Sequence, residues 1–162
     1  MKKQFALSCS CLIFLILASC DWMIDVDVKN ESSNDIVVLI KEKYTLDEDT
    51  LLSIDNSFPL YKEWQRISPK ETGRNIWGEM NGCKSWKEYY KNHNIKDYIY
   101  MYILDVDTLA NYSWSEIRDR NLVLARYDLT YKDLDLFPTL YYPPTPAMRD
   151  IKMYPPYTTF EK

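Results

Sequence analysis

Asp97-Tyr98-Ile99-Tyr100-Met101-Tyr102-Ile103-Leu104 is the stretch on which the fold turns. Aromatic and β-branched side chains suit a pleated surface. The segment carries no charge after Asp97, so it reads as a strand in a central position rather than at an edge. Tyr98, Tyr100 and Tyr102 share one side of it, as residues two apart do in a strand, and are expected to be core or sheet-face residues.

The pattern continues outward on both sides. Downstream, Ser113-Trp114-Ser115-Glu116 places a serine three residues ahead of a glutamate, a capping signal for a short helix through about residue 120. Residues 122–129 read as a strand. Thr130-Tyr131-Lys132-Asp133 again fits a cap followed by one or two helical turns to Phe137, and 139–142 supplies a last short strand. Beyond it Pro143, Pro144, Pro146, Pro155 and Pro156 rule out a central strand or a long helix. Residues 145–162 are therefore expected to form a proline-rich tail.

Upstream, Ser85 with Glu88 three residues later marks another capped helix, with Trp86, Tyr89 and Tyr90 on its apolar side. Residues 73–82, which contain Trp77, should be irregular. Residues 61–67 read as a strand ended by Ser68-Pro69, and 51–54 as a shorter one. Residues 36–44 form another, in which Val37-Val38-Leu39-Ile40 is too continuous to leave one wet face. In 21–29, Trp22, Ile24, Val26 and Val28 alternate with a mostly acidic set, the mark of a half-buried strand. These two segments, split by the polar stretch 30–35, are expected to pair as a first hairpin. The sum is a mainly β, α+β domain over 20–144, an antiparallel sheet or β-sandwich with two or three short helices. A parallel doubly wound fold needs longer crossover helices than this chain offers.

The first twenty residues belong to a different logic. Lys2 and Lys3 precede a short apolar run that closes with Leu17-Ala18-Ser19-Cys20. A basic start, a short apolar core and small residues before the break make a secretory signal peptide over 1–19. The strongly apolar part, 12–18, is much shorter than the roughly 20 residues of a membrane-spanning helix. Without Lys2 and Lys3 the chain has 18 basic against 24 acidic side chains. That balance argues against nucleic acid, which requires concentrated positive charge, and against polybasic attachment to lipid. With Cys9 and Cys11 removed and Cys20 modified, Cys83 is the remaining thiol and no internal disulfide can form. Fourteen tyrosines and five tryptophans must supply the stability through the core.

Leu17-Ala18-Ser19-Cys20 resembles the lipobox at which bacteria attach diacylglycerol to a cysteine thiol and cleave in front of it. Residues 98–107, 112–118 and 124–134, with Tyr141-Tyr142-Pro143-Pro144, resemble a group of small, uncharacterised lipoproteins of Bacteroides-type gut bacteria. The resemblance implies Cys20 as the lipidated residue and attachment to the cell envelope, at the outer membrane, with the membrane face open. Asp49-Thr50-Leu51 and Asp107-Thr108-Leu109 resemble the O-glycosylation sequon of that group, which makes Thr50 and Thr108 candidate acceptors.

Catalytic signals are sparse. Asp105 and Asp107 follow the central strand as a pair, a weak start for a hard-cation site; the plainer reading has Asp107 capping a turn and Asp105 solvated. His93 is the single histidine, so a zinc centre or a nucleophile–histidine centre would have to use it, and a helix-terminus role fits it better. Cys83 reads as an incidental, partly buried thiol. No glycine-rich phosphate loop exists, and no metal or cofactor is expected. Trp77, Tyr141, Tyr142, Tyr154 and Tyr157, interleaved with glycine or proline, form the candidate binding surface. The chain thus reads as a non-enzymatic, lipid-anchored envelope protein that binds or supports an envelope protein or glycan. An envelope-attached hydrolase or glycan-binding accessory is the alternative, and a module for assembling envelope complexes a third reading.

Overall fold

The computed structural model describes residues 25–42, 44, 64–74 and 83–161, with Trp64 described in its backbone alone. Among these residues the chain has a mixed α+β fold of two sheets and four short α-helices, one more helix than the upper expectation. The strands are β1 (Asp27–Asn30), β2 (Ile36–Lys41), β3 (Trp64–Ile67), β4 (Thr72–Gly73), β5 (Ile99–Asp105), β6 (Ala125–Leu129), β7 (Thr139–Tyr142) and β8 (Lys152–Tyr154). The helices are α1 (Trp86–Asn92), α2 (Val106–Asn111), α3 (Trp114–Asp119) and α4 (Tyr131–Leu136). The strand expected at 51–54 lies outside the described residues.

One sheet has the order β3-β2-β5-β6-β8, antiparallel throughout, with β5 in the middle. Its two faces are both covered at one end, which explains the unbroken apolar run in β2. Ile36, Val38 and Ile40 enter the main core with Ile99, Met101 and Ile103 of β5. Val37 and Leu39 join Tyr102 and Leu104 in a second core closed by Leu109 of α2 and by Trp114 and Ile117 of α3. Strands buried on both faces lose the polar half of the alternation.

The second sheet has the order β4-β1-β7. The expected first hairpin is absent: β1 pairs with β4 and, in parallel, with β7, whereas β2 lies in the other sheet. Asn30 makes the corner between them. Its side chain is fully buried and donates through Nδ2 to the carbonyls of Asn34 (2.8 Å) and Ile67 (2.9 Å). Its Oδ1 accepts from the amide (3.0 Å) and hydroxyl (2.7 Å) of Ser32. A buried amide satisfied on both ends fixes the change of direction. The return from β3 to β4 packs equally closely, because a Cβ on Gly73 would sit 2.5 Å from Cδ1 of Ile67.

Within the proline-rich stretch expected as a tail, residues 145–161 pack as part of the folded body. Met148 and Ile151 are buried in the main core, and β8 pairs with β6 through Arg126–Tyr154, Tyr127–Met153 and Asp128–Lys152. Proline still sets the limit, since β8 is a three-residue edge strand ending one residue before Pro155.

Candidate functional site

Two surface grooves lie on either side of the segment 95–98, which joins α1 to the central strand. The helix supplies the position. Ser85 caps it by accepting from the amide of Glu88 at 3.2 Å, while the Glu88 carboxylate accepts from the amide of Lys84 (2.8 Å), one residue earlier than a full capping box requires. Its other end closes with Asn94 in the left-handed region (φ 55°). There the amide of Asn94 donates to Lys91 O (3.3 Å) and that of Ile95 to Tyr90 O (2.9 Å), a Schellman stop. Tyr90 ties this end to the sheet: its hydroxyl accepts from the amide of Ile99 (3.2 Å) and donates to Leu129 O (2.5 Å). Burial pushes the Tyr90 phenol well up from its ordinary value.

The first groove, about 390 Å³, is lined by Tyr90, Tyr98 and Tyr131 and rimmed by Lys87, Lys96 and Lys132. Thr130, Ile95 and Asp97 complete it. Thr130 is committed elsewhere, since it and Asp133 form a reciprocal capping box at the start of α4. The Tyr131 ring is set edge-on against Tyr90, centroids 6.0 Å apart. The three lysines are exposed, and none has an ion-pair partner among the described residues.

The second groove, about 370 Å³, is lined by Tyr44, Tyr98, Tyr100, Glu42, His93 and Asn94. Here Glu42 accepts from Tyr89 Oη at 2.8 Å and lies 3.0 Å from His93 Nδ1, while the His93 ring stacks on Tyr89 at 4.0 Å. His93 is therefore the C-cap of α1 with a local acidic partner, in keeping with its helix-terminus reading. Beside this groove the uncovered end of the five-stranded sheet carries an ionic cluster. Asp128 is 1% exposed and is held by Arg126 Nε (2.6 Å) and Lys152 Nζ (3.1 Å). Arg126 lies over the Tyr44 ring (4.6 Å) and Lys152 over the Tyr98 ring (4.3 Å), arrangements that favour the cations. The bond to Asp128 raises the Lys152 ammonium above its ordinary value.

The sequence-predicted surface is not one surface. Tyr142 is buried in the main core, edge-on to Phe160, because even-numbered residues of β7 point inward. Tyr141, on the opposite side of that strand, lines a separate groove of about 520 Å³ with Asp25, Asp27, Lys29 and Arg74. Tyr154 is exposed on β8 opposite Arg126, and Tyr157 is half-buried in a 3₁₀ turn. Trp77, Thr50 and Cys20 lie outside the described residues. Thr108 is half-buried in the first turn of α2.

The Asp105–Asp107 pair has its roles reversed from the expectation. Asp105 caps α2 by accepting from the amide of Thr108 (3.3 Å), and Asp107 is exposed in the first turn. Among the described residues no group of three His, Cys, Asp or Glu side chains is placed to hold a metal ion. Cys83 is buried and accepts from Asn92 Nδ2 at 3.5 Å. No helix among the described residues is long and apolar enough to cross a membrane.

The groove residues missed from sequence are Tyr44, Tyr131, Lys87, Lys96 and Lys132. No family model matches the chain, and no curated protein or solved structure matches it.

Proposed function

We propose that this is a lipid-anchored cell-envelope protein, tethered through Cys20, whose domain is a binding module rather than a catalyst. The amino-terminal pattern Leu17-Ala18-Ser19-Cys20 supports the anchor. The observation that carries the binding reading is the pair of tyrosine-lined grooves meeting at Tyr98. Volumes of 370 and 390 Å³ fall in the small-molecule range of about 300–1,000 Å³, and tyrosines share the walls with charged and polar side chains. Two of the acidic groups nearby serve structural partners: Glu42 serves Tyr89 and His93, and Asp128 serves Arg126 and Lys152. An envelope protein or glycan is the ligand on this reading.

The experiment is cross-linked capture of the acylated protein from its native envelope, in parallel with Tyr98→Ala and Cys20→Ser. A discrete protein or glycan that travels with the parent chain and is depleted from Tyr98→Ala is the expected result. Cys20→Ser leaves the membrane fraction. Recovery of lipid alone with the parent chain contradicts the binding module, and a Cys20→Ser protein that still fractionates with membrane contradicts the anchor.

A further inference from the structure

The groove between α1, the 95–98 segment and the start of α4 has a charge opposite to that of the molecule around it. The chain as a whole is acidic, with 24 carboxylate against 20 basic side chains. Yet Lys87, Lys96 and Lys132, from three separate elements, rim a single cavity against one acidic wall residue, Asp97. Several cations elsewhere are matched: Arg66 with Asp35, Lys70 with Glu31, and Arg126 and Lys152 with Asp128. The three groove lysines have no such partner among the described residues. Three unneutralised ammonium groups around one concavity repel one another, and an anion seated between them removes that repulsion.

The walls narrow the kind of anion. Tyr98 and Tyr131 offer ring surface, and their hydroxyls have no hydrogen-bond partner among the described residues, whereas the Tyr90 hydroxyl is used up between Ile99 and Leu129. Flat rings with free hydroxyl tips complement a ligand that is apolar on its faces and polar around its rim. A sugar ring has that shape. The cavity, about 390 Å³, shares Lys96, Asp97 and Tyr98 with the lining of the second groove. A flat anionic bilayer is a poorer fit, because the lysines surround a concavity and the whole chain is repelled by such a surface.

We infer that this groove binds an acidic saccharide, one whose sulfate or carboxylate groups pair with Lys87, Lys96 and Lys132 while its rings lie against Tyr98 and Tyr131. The inference rests on the binding-module reading and names its ligand class. Lysine acts here as a point charge, so sulfate and carboxylate are both accepted and affinity falls with added salt.

The test is titration calorimetry of the full acylated chain in zwitterionic nanodiscs, with a sulfated chondroitin tetrasaccharide, a tetragalacturonate and the neutral maltotetraose as probes. Either acidic probe is expected to bind more tightly than maltotetraose, with affinity lowered by salt. The K96Q/K132Q double substitution, both positions being exposed, should weaken that binding at least about tenfold, and K96R/K132R should restore it. Three results overturn the ligand class: equal binding of maltotetraose, no effect of K96Q/K132Q, or lysine-dependent binding of anionic vesicles in place of either acidic probe. If no saccharide binds but Tyr98→Ala still depletes the captured envelope component, the ligand class fails and the binding module stands. If neither occurs, both fail.

Discussion

Single residues decide where this chain turns and how its interior tolerates polar atoms. Asn30 fills all its hydrogen-bonding directions at a buried corner, so replacing it removes the donors to the carbonyls of Ile67 and Asn34, the latter keeping the Ser32 hydroxyl. Asn30→Ala should lower stability by about 1–3 kcal/mol, read as a fall in the urea midpoint at constant m. Asn30→Asp, which keeps the acceptor and loses both donors, should also destabilise. Tyr102 is the second case. Burial, opposed by the nearby Arg126, pushes its phenol up to about 12 from 10, with its hydroxyl donating to Tyr44 O. A group raised on folding stabilises the folded state fully below its unfolded value and loses that contribution as pH rises through the folded one. Stability should therefore fall between about pH 10 and 12, and Tyr102→Phe should flatten part of that decline in urea titrations across the range. Tyr90, Tyr100, Tyr127 and Tyr142, also raised by burial, keep the remainder.

At the scale of elements, residues 145–161 are the sharpest case, because Met148 is buried and β8 completes the five-stranded sheet. Met148→Ala should cost about 2–5 kcal/mol, as a core methionine does and an exposed tail residue does not; thermal or urea unfolding reads the difference. The prolines that suggested a tail were read correctly for what they forbid, a long helix or a central strand. They do not forbid a three-residue edge strand or a 3₁₀ turn with proline in it, which is what Pro146–Met148 forms. The strand β5 and the caps of α1, α3 and α4 were legible because each depends on neighbours within four residues: Ser85, Ser113 and Thr130 all cap as their spacing implied. The partner of β1 was not. Its parallel neighbour β7 begins more than a hundred residues later, and local alternation carries no information about that distance. The lysine-rimmed groove was opaque for the same reason. Lys87, Lys96 and Lys132 share no spacing and meet through the packing of α1 on α4, whereas Tyr98 was at least visible as one member of an alternating tyrosine face.

The whole molecule is a two-sheet body whose amino-terminal strand is close in sequence to the anchor we propose. Five residues lie between Cys20 and Val26, which is fully buried, so the proposed tether can reach no more than roughly 20 Å. With the proposed anchor on Cys20, that spacing would keep the body close to the bilayer. Fatty chains on Cys20 would supply the attachment, at about 0.8 kcal/mol for each buried methylene, with two or more chains needed for stable residence. Lengthening the leash by a flexible insertion before Asp25 should leave urea stability unchanged, and membrane fractionation should persist as long as Cys20 is present. The most direct test of the account is the intact mass of the protein purified from its own host. The account predicts a chain that begins at Cys20 and carries the added mass of diacylglycerol, with or without a third acyl group. A chain that retains residues 1–19 and carries no acyl mass would contradict it.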